Sequence, residues 1–114
     1  MRILVCGGRD YKNESRVNEV LREYLDIKDL VICQGEARGA DRLAKEWAKT
    51  YGVECIGYPA NWNRDSKAAG PIRNRQMLNE FKPNLVIAFP GGNGTKDMVT
   101  ISKQANVKVI QVED

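Results

Sequence analysis

Arginine and glycine recur together in this chain at four places. They are Gly7-Gly8-Arg9-Asp10, Gly35-Glu36-Ala37-Arg38-Gly39-Ala40-Asp41, Gly70-Pro71-Ile72-Arg73-Asn74 and, with threonine in place of arginine, Pro90-Gly91-Gly92-Asn93-Gly94-Thr95. Arginine carries a planar fork of donors that matches phosphate oxygens. Glycine removes the side chain where a ligand must approach the backbone. The N–H groups at a helix start, with the positive end of the helix dipole, favour an anion. Phosphate recognition is the chemistry that these types at these spacings suit. Three of the runs, at Gly7, Gly35 and Gly91, each follow an apolar stretch directly, so they point to one phosphate-bearing ligand.

Other chemistry is excluded by what the chain lacks. It has no histidine, so Ser-His and Cys-His nucleophile pairs are ruled out. Acid–base work would fall to Asp, Glu, Lys, Tyr or Cys, with Glu36 and Asp97 the candidate general bases. A dipole or surface role is the competing reading for both. Cys6, Cys33 and Cys55 lie in or beside apolar stretches and show no CxxC spacing. They read as small buried thiols in a reducing compartment, not as a zinc site or a disulfide framework. No metal and no cofactor is expected. The net charge of +3 is mild, and the arginines sit at turns, which suits a small anion better than a long polyanion.

Those turns need elements to hold them. At 114 residues, 42% hydrophobic and 29% charged, the chain reads as one folded domain, 1–114. Apolar runs predict strands at 2–6, 30–34, 53–58, 84–89 and 108–112. Apolar positions at helical spacing predict helices at 14–25, 38–51 and 94–105. A further helix is expected over 71–81, with Pro71 at its first position. Trp47 falls on the apolar stripe of the second helix and is expected in the core. Strict strand–helix alternation predicts an α/β three-layer sandwich, a five-stranded parallel sheet with strand order 3-2-1-4-5. In such sheets ligands bind at the carboxyl edge, beside the point where strand order reverses. The one long connection, 59–70, reads as a binding loop or lid. No stretch is long enough to span a membrane, and Met1-Arg2 leads straight into a strand, so a cytosolic location is expected.

Taken in order, these motifs resemble the YspA/YpsA-related SLOG family. The residues that carry the likeness are Gly7-Gly8-Arg9-Asp10, Gly35 with Ala37 to Asp41, Pro59-Ala60 with Trp62, Gly70 to Asn74 with Met77, and Pro90 to Thr95 with Asp97-Met98. These are small Rossmann-like domains frequent in bacteria and phages. The wider superfamily includes LOG-type nucleotide phosphoribohydrolases and the DNA-processing protein DprA. The resemblance implies a binder of nucleotides or nucleotide-derived ligands, stand-alone here as a sensor or sequestering protein, and makes a homodimer or higher homo-oligomer an expectation. LOG-type hydrolases carry a catalytic glutamate three residues after the threonine, where this chain has Met98. Asp97 stands one residue early, and one residue along a helix turns a side chain by about 100°. It is therefore not expected to aim as that glutamate does.

On this reading the phosphate rests on the 90–95 turn, with Thr95 donating its hydroxyl or, alternatively, capping the helix. Arg9 and Arg38 supply counter-charge, and Asp41 holds a ribose hydroxyl or simply complements the helix dipole. Asp10 orients Arg9 or starts a turn. Trp62 stacks on a base or anchors the loop. Arg73 and Asn74, in the first turn of their helix, hold an anion with its N–H groups, while Arg75 is solvated. N-glycosidic hydrolysis is the enzymatic alternative. Single-stranded nucleic-acid binding in the manner of DprA needs a basic groove with several aromatics and is not expected.

Overall fold

The computed structural model describes residues 1–114 and contains five parallel strands in the order β3-β2-β1-β4-β5. The strands are β1 (Arg2–Cys6), β2 (Val31–Gln34), β3 (Glu54–Gly57), β4 (Leu85–Ala88) and β5 (Lys108–Gln111). The helices are α1 (Glu14–Leu21), α2 (Ala40–Tyr51), α3 (Trp62–Asp65), α4 (Ala69–Gln76) and α5 (Asn93–Gln104). Class, strand order and parallel pairing are those expected from the alternation of apolar runs.

β1 shows why the sheet is sandwiched. Ile3, Leu4 and Val5 are all fully buried, so both faces of the strand are covered. That is the signature of a central parallel strand, and it explains a continuous apolar run in place of alternation. Ile3 and Val5 join Val17, Leu21, Ala44 and Trp47 on the side of α1 and α2. Leu4 and Cys6 join Met77, Phe81, Met98 and Ile101 on the side of α4 and α5. Each of the Val, Leu, Ile, Phe and Met side chains among them contributes about 1.5–3 kcal/mol of hydrophobic stabilisation. Trp47 is buried as expected, and its ring N–H donates to Asn18 Oδ1 at 3.0 Å.

The boundaries differ from the sequence reading in instructive ways. α1 ends at Leu21 and tightens into a 3-10 turn at Arg22–Tyr24. β3 is trimmed at both ends and lies at the sheet edge, half-exposed, where nothing demands a longer apolar run. The connection 59–70 is not an open loop. Asn61 accepts the backbone N–H of Arg64 at 3.0 Å and starts α3, and a 3-10 turn at Ser66–Ala68 leads into α4. α4 therefore begins at Ala69, two residues before Pro71, which sits inside the first turn where its missing N–H costs nothing. It continues as a π-helical turn at Met77–Phe81. α2 begins at Ala40 and ends on Gly52, at φ +69°, as the C-cap glycine predicts. No helix is long and apolar enough to cross a membrane.

Candidate functional site

The three turns after β1, β2 and β4 meet at the carboxyl edge, but their glycines serve different purposes. A Cβ on Gly39 would lie 2.2 Å from the carbonyl oxygen of Gly8, and one on Gly91 would lie 2.6 Å from the Gly8 nitrogen. A Cβ on Gly8 would meet the Pro90 oxygen at 2.9 Å, and one on Gly7 would meet Ala40 at 2.5 Å. Hydrogen bonds lock this junction: Gly8 N–H donates to Pro90 at 2.9 Å and Ala40 N–H to Gly8 at 3.1 Å. Gly7, Gly8, Gly39 and Gly91 are thus required by turn packing on turn. Gly7 and Gly8 have that packing role beside the place in the cavity wall described below. Gly35 leaves room for the Arg73 guanidinium, which packs where a Cβ would stand and donates through Nη1 to the Gly35 carbonyl.

Gly92 and Gly94 differ from all of these. Nothing lies within 4 Å of a Cβ built on either, and neither has a positive φ. Gly92 is the N-cap of α5 and offers no side-chain cap, so the amides of Asn93, Gly94 and Thr95 have no acceptor in the protein. They open onto a cavity of about 550 Å³ bounded by the β1 turn, the start of α2, α3–α4 and the first turn of α5. Thr95 lies in that first turn with its hydroxyl against Gly91, and it does not cap the helix.

Of the expected ligand residues, Gly7, Gly8, Arg9, Asp41, Trp62, Arg73 and Asn74 line this cavity together with Gly92 to Thr95. Gly35 and Arg38 do not; they line an adjoining cleft of about 360 Å³ that shares Arg9, Trp62 and Arg73 with it. Gly39 is buried in the junction, and Pro90 and Gly91 face a groove on the other side of the turn. Lys67, Cys6 and Met77 also line the main cavity and were not anticipated. Lys67 was legible as a cation in the long connection, and Met77 as the residue one helical turn after Arg73.

The charged groups are held in specific partnerships. The Arg9 guanidinium lies 4.9 Å above the Trp62 ring, a cation–π contact, and Trp62 is 47% exposed. Asp10 pairs with Arg38 at 3.4 Å and not with Arg9, in an exposed contact. Arg73 is partly buried, and loss of solvation lowers its pKa. Its Nε donates to Asn74 Oδ1 at 3.1 Å. Asn74 is buried, and its amide donates to the Gly94 carbonyl at 3.2 Å and to Asp97 Oδ2 at 3.0 Å, tying α4 to the mouth of α5. Because α4 starts at Ala69, Arg73 and Asn74 lie in its second turn, so the helix N-terminus plays no part in what they hold.

The two candidate bases separate. Glu36 adopts a left-handed conformation, at φ +58°, and its carboxylate packs onto Gly57 and pairs with Lys45 at 3.0 Å. Hydrogen bonds from Gln34 and Lys45 hold its pKa below the usual carboxylate value. It lies outside the main cavity. Asp97 lines that cavity, contacted by Asn74 and, at 3.4 Å, by Arg75. Met98 is fully buried against the sheet. The 100° step between them therefore points Asp97 to the cavity and residue 98 into the core. Arg75 is exposed, as expected for a solvated cation, and also donates to the Pro71 carbonyl at 3.0 Å.

Asp41 is 5% exposed and accepts the N–H groups of Gly35 and Ala37, each at 3.2 Å. Burial pushes its pKa up to about 6, against the opposing effects of those bonds and of Arg73. Below pH 4 the carboxyl is protonated in the folded and unfolded chain alike. Between about pH 4 and 6 only the folded state keeps the proton, so stability falls as pH rises, by about 3 kcal/mol in all. Asp41→Asn keeps an acceptor oxygen and removes the titration. Urea unfolding at pH 4, 5, 6 and 7 is expected to show the variant gaining on the wild type as pH rises. A constant difference across that range would mean that the buried carboxyl titrates normally.

Comparison with known proteins agrees with this architecture. A family model described as the YspA, cpYpsA-related SLOG family (YAcAr) matches residues 1–64. The Gene 61 protein of Mycobacterium phage D29 is 32% identical, over 99% of this chain and 97% of its own length. Among solved structures, DNA processing protein A (DprA) of Streptococcus pneumoniae superposes with a TM-score of 0.58 at 18% identity, over 96% of this chain. The UDP-GlcNAc 2-epimerase of Neisseria meningitidis, solved with UDP-GlcNAc bound, gives 0.59 at 16% identity, over 99% of this chain. The chain spans 58% of the first of those structures and 32% of the second. At such identities the likeness is one of fold. The family model covers more than half of the chain and the phage relative its whole length, and on that basis the chain belongs to the YspA/cpYpsA-related SLOG family, within a Rossmann-like, nucleotide-associated superfamily.

Proposed function

We propose that this chain binds a nucleotide or nucleotide-derived small molecule at the carboxyl edge of its sheet and acts as a sensor or sequestering protein. The observation that carries the reading is the pair Gly92 and Gly94 at the mouth of α5. A glycine within a helix costs about 0.5–1 kcal/mol relative to alanine. Neither packing nor a positive φ requires Gly94, so what its missing side chain provides is access to the free amides of Asn93 to Thr95. A phosphate seated there has Arg9, Arg73 and Lys67 on the cavity wall as counter-charges. A base stacks on the exposed face of Trp62. The phage origin of the full-length relative fits a phage-encoded protein that captures a signalling nucleotide. Native mass spectrometry of the protein purified from cells tests this. A retained small-molecule mass with a phosphate-containing fragment is expected, and a protein that carries none and binds no nucleotide by calorimetry refutes it.

The arginines should divide according to their placement. Arg73→Ala is expected to weaken nucleotide binding by about 1.5–3 kcal/mol, as loss of a charge-assisted contact does. Arg38→Ala, exposed and outside the main cavity, is expected to cost under about 1 kcal/mol. Titration calorimetry of the two variants decides, and equal small effects would make both arginines surface charges.

A second reading has one specific observation in its favour. Asp97 lines the cavity with its carboxylate oriented by Asn74 and Arg75, so a carboxylate is at hand for chemistry on a bound nucleotide. Under the binding reading, nucleoside monophosphates incubated with the protein release no base or ribose phosphate. Release seen by chromatography, and lost in Asp97→Asn with affinity retained, would establish hydrolysis. DprA-type binding of single strands has less support, since Trp62 is the sole aromatic on the wall of the main cavity.

A further inference from the structure

On the far side of the Gly91–Gly92 turn lies another cavity, of about 430 Å³, between α5 and the carboxyl ends of β4 and β5. Lys96, Thr100 and Lys103 stand at i, i+4 and i+7 on α5 and so line it from one helix face. The two lysines are its only ionisable side chains, and neither takes part in a salt bridge. The main cavity is different, since it sets Asp10, Asp41 and Asp97 among its cations. The two cavities meet at Gly92 and Thr95, which line both. Nothing lies within 4 Å of a Cβ built on Gly92, so the space beside that shared residue is open.

We infer that the Lys96–Lys103 groove is a second anion subsite, continuous with the first across Gly92, and that it receives a second phosphate of the same ligand. The ligand class is thereby narrowed to nucleotides that carry phosphate groups at two separate positions. This rests on the reading of the main cavity as a phosphate site. Lysine suits the second position as a flexible point charge with three rotatable donors, and its exposure makes the attraction sensitive to salt.

Titration of inorganic phosphate into the isotopically labelled chain, followed by amide NMR, tests the subsite without knowledge of the base. Two separate groups of shifts are expected, one at Gly92 to Thr95 and one at Thr100, Lys103 and Gln111. In Lys96→Ala/Lys103→Ala the second group should vanish and the first remain. Shifts confined to Gly92–Thr95 in the wild type, or equal shifts produced by sodium chloride at matched ionic strength, overturn the inference and leave the main site standing. A response in neither region overturns both. The nucleotide arm compares adenosine 5′-monophosphate with adenosine 3′,5′-bisphosphate by calorimetry. At least tenfold tighter binding of the bisphosphate is expected, with the advantage erased in the double variant. Equal affinities in the wild type would mean that the groove takes no phosphate of the nucleotide.

Discussion

Gly92→Val is expected to abolish nucleotide binding in a protein that remains folded. Gly92 caps α5 at φ −102°, and a Cβ there meets no protein atom within 4 Å. The valine Cβ therefore meets nothing of the fold at this exposed position, and stability should stay within about 1 kcal/mol of wild type. The methyls would instead occupy the space above the amides of Asn93 to Thr95. A phosphate that loses those donors loses several charge-assisted hydrogen bonds together, and a drop of at least about 100-fold, roughly 2.7 kcal/mol, follows. Calorimetry with a ligand identified by native mass spectrometry measures it, and circular dichroism reports the fold. Undiminished affinity in a folded variant would remove the α5 mouth from the site.

Gly39→Ala should do the opposite and unfold the junction whatever the ligand. Gly39 has φ +81° with ψ −129°, a conformation open to glycine and costly to any residue with a side chain. Its Cβ would also lie 2.2 Å from the Gly8 oxygen and 2.6 Å from Arg9 backbone atoms, which are held by the hydrogen bonds of the β1 turn. Backbone cannot rotate aside as a flexible side chain can. Strain and clash together should cost at least about 3 kcal/mol, a fall of more than about 10 °C in melting temperature for a domain of this size. Thermal unfolding of Gly39→Ala beside Gly94→Ala provides the comparison, because Gly94 lies in a helix with free space around it. A Gly39→Ala protein as stable as the wild type would mean that the three turns are not packed as described.

Much of this architecture was legible in the residues, because the signals are local. Ile3-Leu4-Val5 is buried on both faces, and such a run between polar turns has few other uses than a central parallel strand. Gly52 after the apolar stripe of α2 marks a helix end by a backbone conformation that glycine adopts at little cost. Turn placement followed in the same way: parallel strands put every turn after a strand at one edge, so the turns bearing Gly7, Gly35 and Gly91 share that edge. The 59–70 connection was misread as open loop for want of a signal of sufficient length. α3 within the 59–70 connection is a single turn started by Asn61, too short for any periodicity to reveal.

The sequence by itself determined the α/β class, the strand order and which turns meet at the carboxyl edge. Only the tertiary structure decided what each of them does there. Glycines look alike in a sequence, yet Gly8, Gly39 and Gly91 are fillers of a crowded backbone junction and Gly92 and Gly94 face open space. Spacing along α5 gave no means of choosing between Asp97 and Met98, since the face turned to the core depends on how the helix lies on β4 and β5. Packing sends Met98 inward, and Asp97 is left at the cavity with Asn74. Glu36 and Asp97 were equal candidates as carboxylates. The left-handed backbone at Glu36 and the Lys45 contact carry one away from the cavity, and these follow from neighbours that the linear sequence does not place side by side.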